Sequence, residues 1–129
     1  MATDALIAVQ ASTTQTDSFD GADVSLPTGT PRSGLWVRVL YSDASVSSGD
    51  GHFIFNVEVS HDGGSTYFLH TPGDEYTVTL GTDAVAGEIW LPLETSDSKF
   101  RLSVVFTDDG SAADQTITYQ GDLVFGRPS

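Results

Sequence analysis

His52-Phe-Ile-Phe-Asn-Val-Glu-Val-Ser-His-Asp-Gly-Gly-Ser-Thr-Tyr-Phe-Leu-His-Thr71 is the stretch that decides the fold. Phe53, Phe55, Val57 and Val59 alternate with Ile54, Asn56, Glu58 and Ser60, the period-two pattern of a half-buried strand. Asp62-Gly63-Gly64 then brings residues that tolerate positive φ, as a hairpin turn requires. Tyr67, Phe68 and Leu69 resume with strand-forming side chains. The stretch reads as a β-hairpin with one buried aromatic face.

The same grammar extends in both directions. Leu35 to Tyr41 places Leu35, Val37, Val39 and Tyr41 on one face and Trp36, Arg38 and Leu40 on the other. Ser42 to Gly51 reads as a polar, mobile loop. After a turn at Pro72-Gly73-Asp74, Tyr76 to Leu80 is a strand. Glu88 to Leu93 is another, whose Pro92 argues for a sheet edge or a strand end. Phe100, Leu102, Val104 and Phe106 alternate with Arg101, Ser103 and Val105. Ile117, Tyr119, Leu123 and Phe125 end the chain in one long strand, with a bend expected at Gly121. Pro27, Gly29, Pro31 and Gly34 punctuate a loop, and Phe19 is the only large anchor of a turn-rich segment before it. No window has a useful 3.6-residue period. The expectation is therefore all-β: a single-domain antiparallel β-sandwich, jelly-roll-like, with an immunoglobulin-like arrangement as the alternative. The expected core is Val37, Val39, Phe53, Phe55, Val57, Phe100, Leu102, Val104, Phe106, Ile117 and Tyr119. Residues 1–10 form an N-terminal arm or a first strand, and residues 11–129 form the sandwich domain.

Charge narrows the function. Eighteen acids face five bases, a net charge of −13 in 129 residues. Such a surface repels phosphate, so neither nucleic acid nor an anionic membrane is an expected partner. Fourteen of the acids are Asp, set among Gly and Ser in turns. With no cysteine, there is no thiol redox chemistry and no thiolate metal site. No apolar run reaches the ~18 residues of a membrane span. The start of the chain lacks the basic and apolar regions of a secretory leader, so a soluble protein is expected.

The residues of types that carry chemistry read mostly as structure. Ser60-His-Asp62-Gly-Gly64-Ser-Thr66-Tyr67 is similar to the Asp-box of sialidases, a hairpin turn in which the carboxylate caps N–H groups and an aromatic packs beneath. His52, His61 and His70 lack the compact spacing of metal ligands. Asp108, Asp109 and Asp114, or Asp43 and Asp50, have the oxygen chemistry that Ca2+ takes, but no ordered ligand loop frames them. Turn capping is the expected role, and no cofactor is expected. There is no nucleophile elbow and no phosphate-binding loop, so the expectation is not an enzyme.

Trp36 and Trp90 stand out because each lies opposite its strand's main apolar row. An indole on a non-core face suits a protein interface or sugar stacking. The short apolar lead of Leu6, Ile7 and Val9 is a second candidate, since a terminal segment can add a strand to an exposed sheet edge. These five residues are the candidate partner interface.

In feature order the chain resembles the small β-sandwich capsid decoration (cement) proteins of tailed bacteriophages. The resemblance rests on Asp4-Ala-Leu-Ile-Ala-Val9, the Ser/Thr stretch ending Phe19-Asp20, Gly34-Leu-Trp-Val-Arg-Val39 and Phe55-Asn-Val-Glu-Val-Ser-His-Asp-Gly-Gly64. It continues through Gly87-Glu-Ile-Trp-Leu-Pro92, Phe100-Arg-Leu102 and Leu123-Val-Phe125, and so covers nearly the whole chain. It implies a non-enzymatic virion protein, made in the host cytoplasm, that binds the major capsid protein on the outer surface of the shell, often as a homotrimer. Two readings compete: a carbohydrate-binding β-sandwich module with Trp36, Trp90 or Tyr67 as stacking platforms, and a host-attachment or tail-associated virion protein.

Overall fold

A computed structural model of the chain describes residues 4–25, 34–60, 62–69, 75–93 and 99–125. Among the described residues ten strands form and no helix: β1 (Asp4–Gln15), β2 (Phe19–Asp20), β3 (Val24–Ser25), β4 (Leu35–Ser45), β5 (Gly51–Ser60), β6 (Phe68–Leu69), β7 (Tyr76–Thr79), β8 (Val85–Leu93), β9 (Lys99–Asp108) and β10 (Thr116–Phe125). They pair antiparallel into two sheets. Sheet A has the order β1-β10-β4-β8. Sheet B has the order β2-β9-β5-β6, with β3 also on β9 and β7 also on β5.

The strand order decides between the two sandwich topologies. If β2 with β3, and β6 with β7, each count as one broken strand, successive strands alternate between the sheets throughout. The one exception is the β5 hairpin with β6 and β7. That is the order of a jelly roll. An immunoglobulin sandwich would set several consecutive strands side by side within one sheet.

Alternation along each strand fills the space between the sheets. Val37 and Val39 of β4 meet Phe53, Phe55 and Val57 of β5, with Phe100, Leu102 and Val104 of β9 and Ile117, Tyr119 and Leu123 of β10, all in one buried cluster. The Phe55 and Tyr119 rings meet edge to face at 5.0 Å. Phe106 differs from expectation. It is only partly buried, packed against that cluster with its ring tilted against Phe53 at 5.1 Å, near the end of β9. At Gly121, a Cβ would lie 2.9 Å from Leu102 of the opposite sheet. The glycine therefore marks a close approach of the two layers rather than a break, since β10 runs on to Phe125.

Two polar stretches turn out to be strand. β4 continues to Ser45 instead of yielding to a loop at Ser42. Asp43 takes φ 53° at a register shift against β8, which lets Ala44 and then Val46 reach the core, both buried. At the start of the chain, β1 runs through from Asp4 to Gln15 and pairs with β10 from Phe125 back to Ile117. Residues 1–3 lie outside the described residues, as do the expected loop at 27–33 and the turn at 72–74.

Candidate functional site

The outward face of sheet A carries the two tryptophans. Leu35, Val37 and Val39, and Ile89, Leu91 and Leu93, point into the core, so Trp36 and Trp90 point out. In the β4–β8 register Trp36 faces Pro92 and Arg38 faces Trp90. The indoles are thus diagonal neighbours, close enough for aromatic side chains to touch. Their centroids are 6.3 Å apart and their planes 76° apart, an edge-to-face pair. The Trp90 Nε1 donates to the Glu88 carboxylate, 2.5 Å away. Next to the pair, Arg38 donates to Asp122 at 3.3 Å. Both indoles are half-buried.

The apolar character of this face goes deeper than the indoles. Val124, opposite Trp36 on β10, is completely buried yet does not belong to the inter-sheet cluster. The sheet thus supports a small second apolar layer on its outside. Farther along the same face, a cavity of about 160 Å³ is lined by Ser12, Leu40, Tyr41, Ser42, Thr118, Tyr119 and Gln120.

The other three candidate residues lie in β1. Val9 is buried in the core. Ile7 pairs with Leu123, and Leu6 falls at a register shift between Ala5 and Ile7. The structure therefore separates the five candidates: Trp36 and Trp90 come together, while Leu6, Ile7 and Val9 occupy a sheet-edge strand.

The outward face of sheet B is arranged differently. Arg101 Nε donates to Glu58 at 2.7 Å, and Arg101 Nη2 lies 3.5 Å from Asp20. The guanidinium sits over the Tyr67 ring, 4.1 Å from its centroid, a cation–π contact. The Tyr67 hydroxyl donates to Asp23 at 2.5 Å, and Ser103 donates to Asp20 at 2.8 Å. Burial, then the bond to Asp23, pushes the Tyr67 hydroxyl up to about 12. Burial opposes the Arg101 charge, but the Glu58 hydrogen bond and attraction outweigh it and raise its pKa. This knot ties β2, β5, β9 and the loop after β5 together.

That loop is the Asp-box segment. Asp62 Oδ1 accepts from the Thr66 and Ser65 N–H groups at 2.8 and 3.0 Å and from the Ser60 hydroxyl at 2.9 Å. Ser60 Oγ accepts from the Gly64 N–H. These bonds, led by the Thr66 N–H, hold the Asp62 carboxyl below its usual range. Gly63 and Gly64 have φ of 77° and 105°. The role is structural, with Tyr67 delivered onto Arg101.

At the end of sheet B where β5 begins, a cavity of about 480 Å³ is lined by Asp50, His52, Thr79, Thr107, Asp108 and Asp109. His52 Nδ1 is buried without a hydrogen-bond partner. Asp109 accepts from the Ser111 hydroxyl and N–H, which lowers its pKa. Asp114 accepts from Ser47 on the far side of the same loop. Among the described residues no group of three or more His, Asp or Glu side chains is placed to hold a metal ion. His61 and His70 lie outside the described residues.

Sequence reading missed two features. The Arg101 knot needed the β5–β9 register, which puts Glu58 opposite Arg101; the signal was a pair of opposite charges at outward positions. The second is an apolar margin: Phe68, Leu69, Tyr76 and Val85 are 53%, 40%, 46% and 40% exposed. Alternation alone marks Phe68 and Tyr76 as inward, because they pair with Val59 and Phe55.

No protein-family model matches the chain, and no curated protein matches it. A solved structure described as "CBM4 structure and function" is similar to it at 14% identity, with a TM-score of 0.49. The match covers 85% of this chain, which spans 61% of that one.

Proposed function

We propose that the chain is a non-enzymatic virion structural protein that binds and stabilises the outer surface of a phage capsid. The observation that carries this is the joining of Trp36 and Trp90 on the outward face of sheet A, on a molecule of net charge −13. Surface ion pairs contribute only about 0–1 kcal/mol each and weaken in salt. An acidic coat protein therefore holds a shell through apolar area. Edge-to-face indoles supply such area at little entropic cost, and tryptophan is enriched among residues that dominate interfaces. Arg38, Asp122 and Glu88 form the polar rim that fixes orientation. The partner in this reading is the major capsid protein, met by a homotrimer at the virion surface, and neither cofactor nor reaction is needed. Particles challenged by heat or chaotrope with and without the protein test it. The expected result is a higher disruption temperature with the protein, and an unchanged one counts against the reading.

The cavity around His52 favours a second reading, a carbohydrate-binding module. Its carboxylates, hydroxyls and one imidazole are the groups that accept and donate hydrogen bonds to sugar hydroxyls. Retention on immobilised glycans would favour it over the capsid reading, and its loss in His52→Ala would place the sugar in this cavity rather than on Trp36, Trp90 or Tyr67.

A further inference from the structure

Among the described residues, five large hydrophobic residues are prominently exposed: Phe68, Leu69, Tyr76, Val85 and Val105. The first four belong to β6, β7 and β8. β6 and β7 flank β5 at one margin of sheet B, and β8 is a margin of sheet A. These margins lie on the same side of the sandwich. β8 packs near β5, while β1 packs near β9 on the opposite side. The Val46 N–H at the end of β4 donates to the Gly81 carbonyl just after β7.

This side is where the inner layer reaches the surface. Tyr76 and Phe68 stand opposite the buried Phe55 and Val59, so they point toward the inter-sheet space, yet both are about half exposed. Their partners are four residues apart on β5, which spaces the two rings about 13 Å along the strand. Val85 extends the strip toward the Gly81 end. β7 pairs with β5 alone, and β8 with β4 alone, among the described residues. Each leaves the backbone groups of its second edge without a strand partner there, a template for another chain.

Charge says what kind of chain. Between Arg38 and Lys99 the sequence has ten acids and neither lysine nor arginine. This run contains β5 to β8, and Glu75 and Asp83 stand just before β7 and β8 in sequence. A second copy docked by the same side would bring like charges together, which costs binding. A segment with apolar side chains flanked by lysine or arginine fits on both counts.

We propose that the β6–β7–β8 side is a docking site for an extended, cationic and apolar segment of a partner protein, laid against the free edge of β7. The site is separate from the tryptophan face and does not depend on what that face binds.

The test uses the full chain, 15N-labelled, titrated with a capped decapeptide of alternating Lys and Val. A Glu/Val decapeptide of equal length is the control. The expected result is amide shifts confined to residues 68–69, 76–79 and 85–88, with at least tenfold tighter binding of the Lys/Val peptide. A Tyr76→Ser/Val85→Ser variant should lose at least tenfold in affinity, while Val105→Ser, exposed elsewhere, should bind as before. Equal melting temperatures would show that all variants fold. Absence of binding, shifts centred on another surface, or indifference to the Tyr76→Ser/Val85→Ser change would overturn the proposal. So would concentration-dependent self-association abolished by that variant, which would make a second copy the occupant.

Discussion

The two outward faces of the sandwich are built from the same alternation and end in opposite states. Around Arg101 on sheet B the outward polar groups are spent on one another: Arg101 on Glu58, Asp20 and Tyr67, and Tyr67 on Asp23. On sheet A the outward groups are two half-buried indoles with one bond to Glu88 and a neighbouring Arg38–Asp122 pair. A cluster whose polar groups are mutually satisfied has little free energy left for a partner. A face that holds aromatic area at the surface has most of its own still to gain. The difference separates polar groups that tie strands together from aromatic area left at the surface.

Both faces rest on one core, so the largest effect comes from beneath them. Phe55→Ala or Phe100→Ala removes a fully buried ring and should cost about 3–5 kcal/mol, read as a lower denaturation midpoint. Both faces should then fail together. Loss of one while the other stays intact would mean the sheets are not one cooperative unit.

Arg101→Met and Trp90→Ala pull the faces apart. The Arg101 and Glu58 side chains are 23% and 19% exposed. Breaking their pair should therefore cost about 2 kcal/mol, below the 3–5 kcal/mol of a fully buried pair. Partner binding should be unchanged. Trp90→Ala, at a half-buried site, should cost only about 1–2 kcal/mol of stability and weaken partner binding at least tenfold. The reverse pattern would exchange the roles of the two faces.

The smallest effects are in pH. Tyr67 and Tyr119 are both pushed up to about 12, chiefly by burial, against about 10 in an unfolded chain. Their contribution is complete below pH 10 and is lost as pH rises from 10 through 12. Tyr67→Phe should flatten part of that alkaline slope in a pH series of melts. Asp62 behaves in the opposite sense. Its carboxyl is held low by the Thr66 N–H and Ser60, so its contribution is present above the ordinary carboxylate range and fades as pH falls below it. Asp62→Asn should flatten the acid limb.

The sandwich was legible because alternation is local. Phe53 to Val59 and Phe100 to Val104 declare their buried faces without reference to any neighbour, and the outward placement of Trp36 and Trp90 follows from the same count. Strand order was not legible, since nothing in Leu35 to Tyr41 specifies β10 and β8 as its neighbours. The pairing of the two indoles depends on that order, as does the knot around Arg101. The strand at Ala44 was hidden because Asp43 turns through positive φ amid Ser and Gly, and composition there reads as loop. The exposed margin misled in the other direction. Tyr76 and Phe68 have inward parity, but parity does not reveal that their strands are the last in the sheet.

The most direct measurement is co-sedimentation of the protein with phage capsid shells, comparing wild type with Trp36→Ala/Trp90→Ala. Circular dichroism should confirm an all-β fold in both. The account predicts that wild type pellets with the shells and that the double variant, still folded, stays in the supernatant. A folded double variant that pellets as wild type does would contradict it.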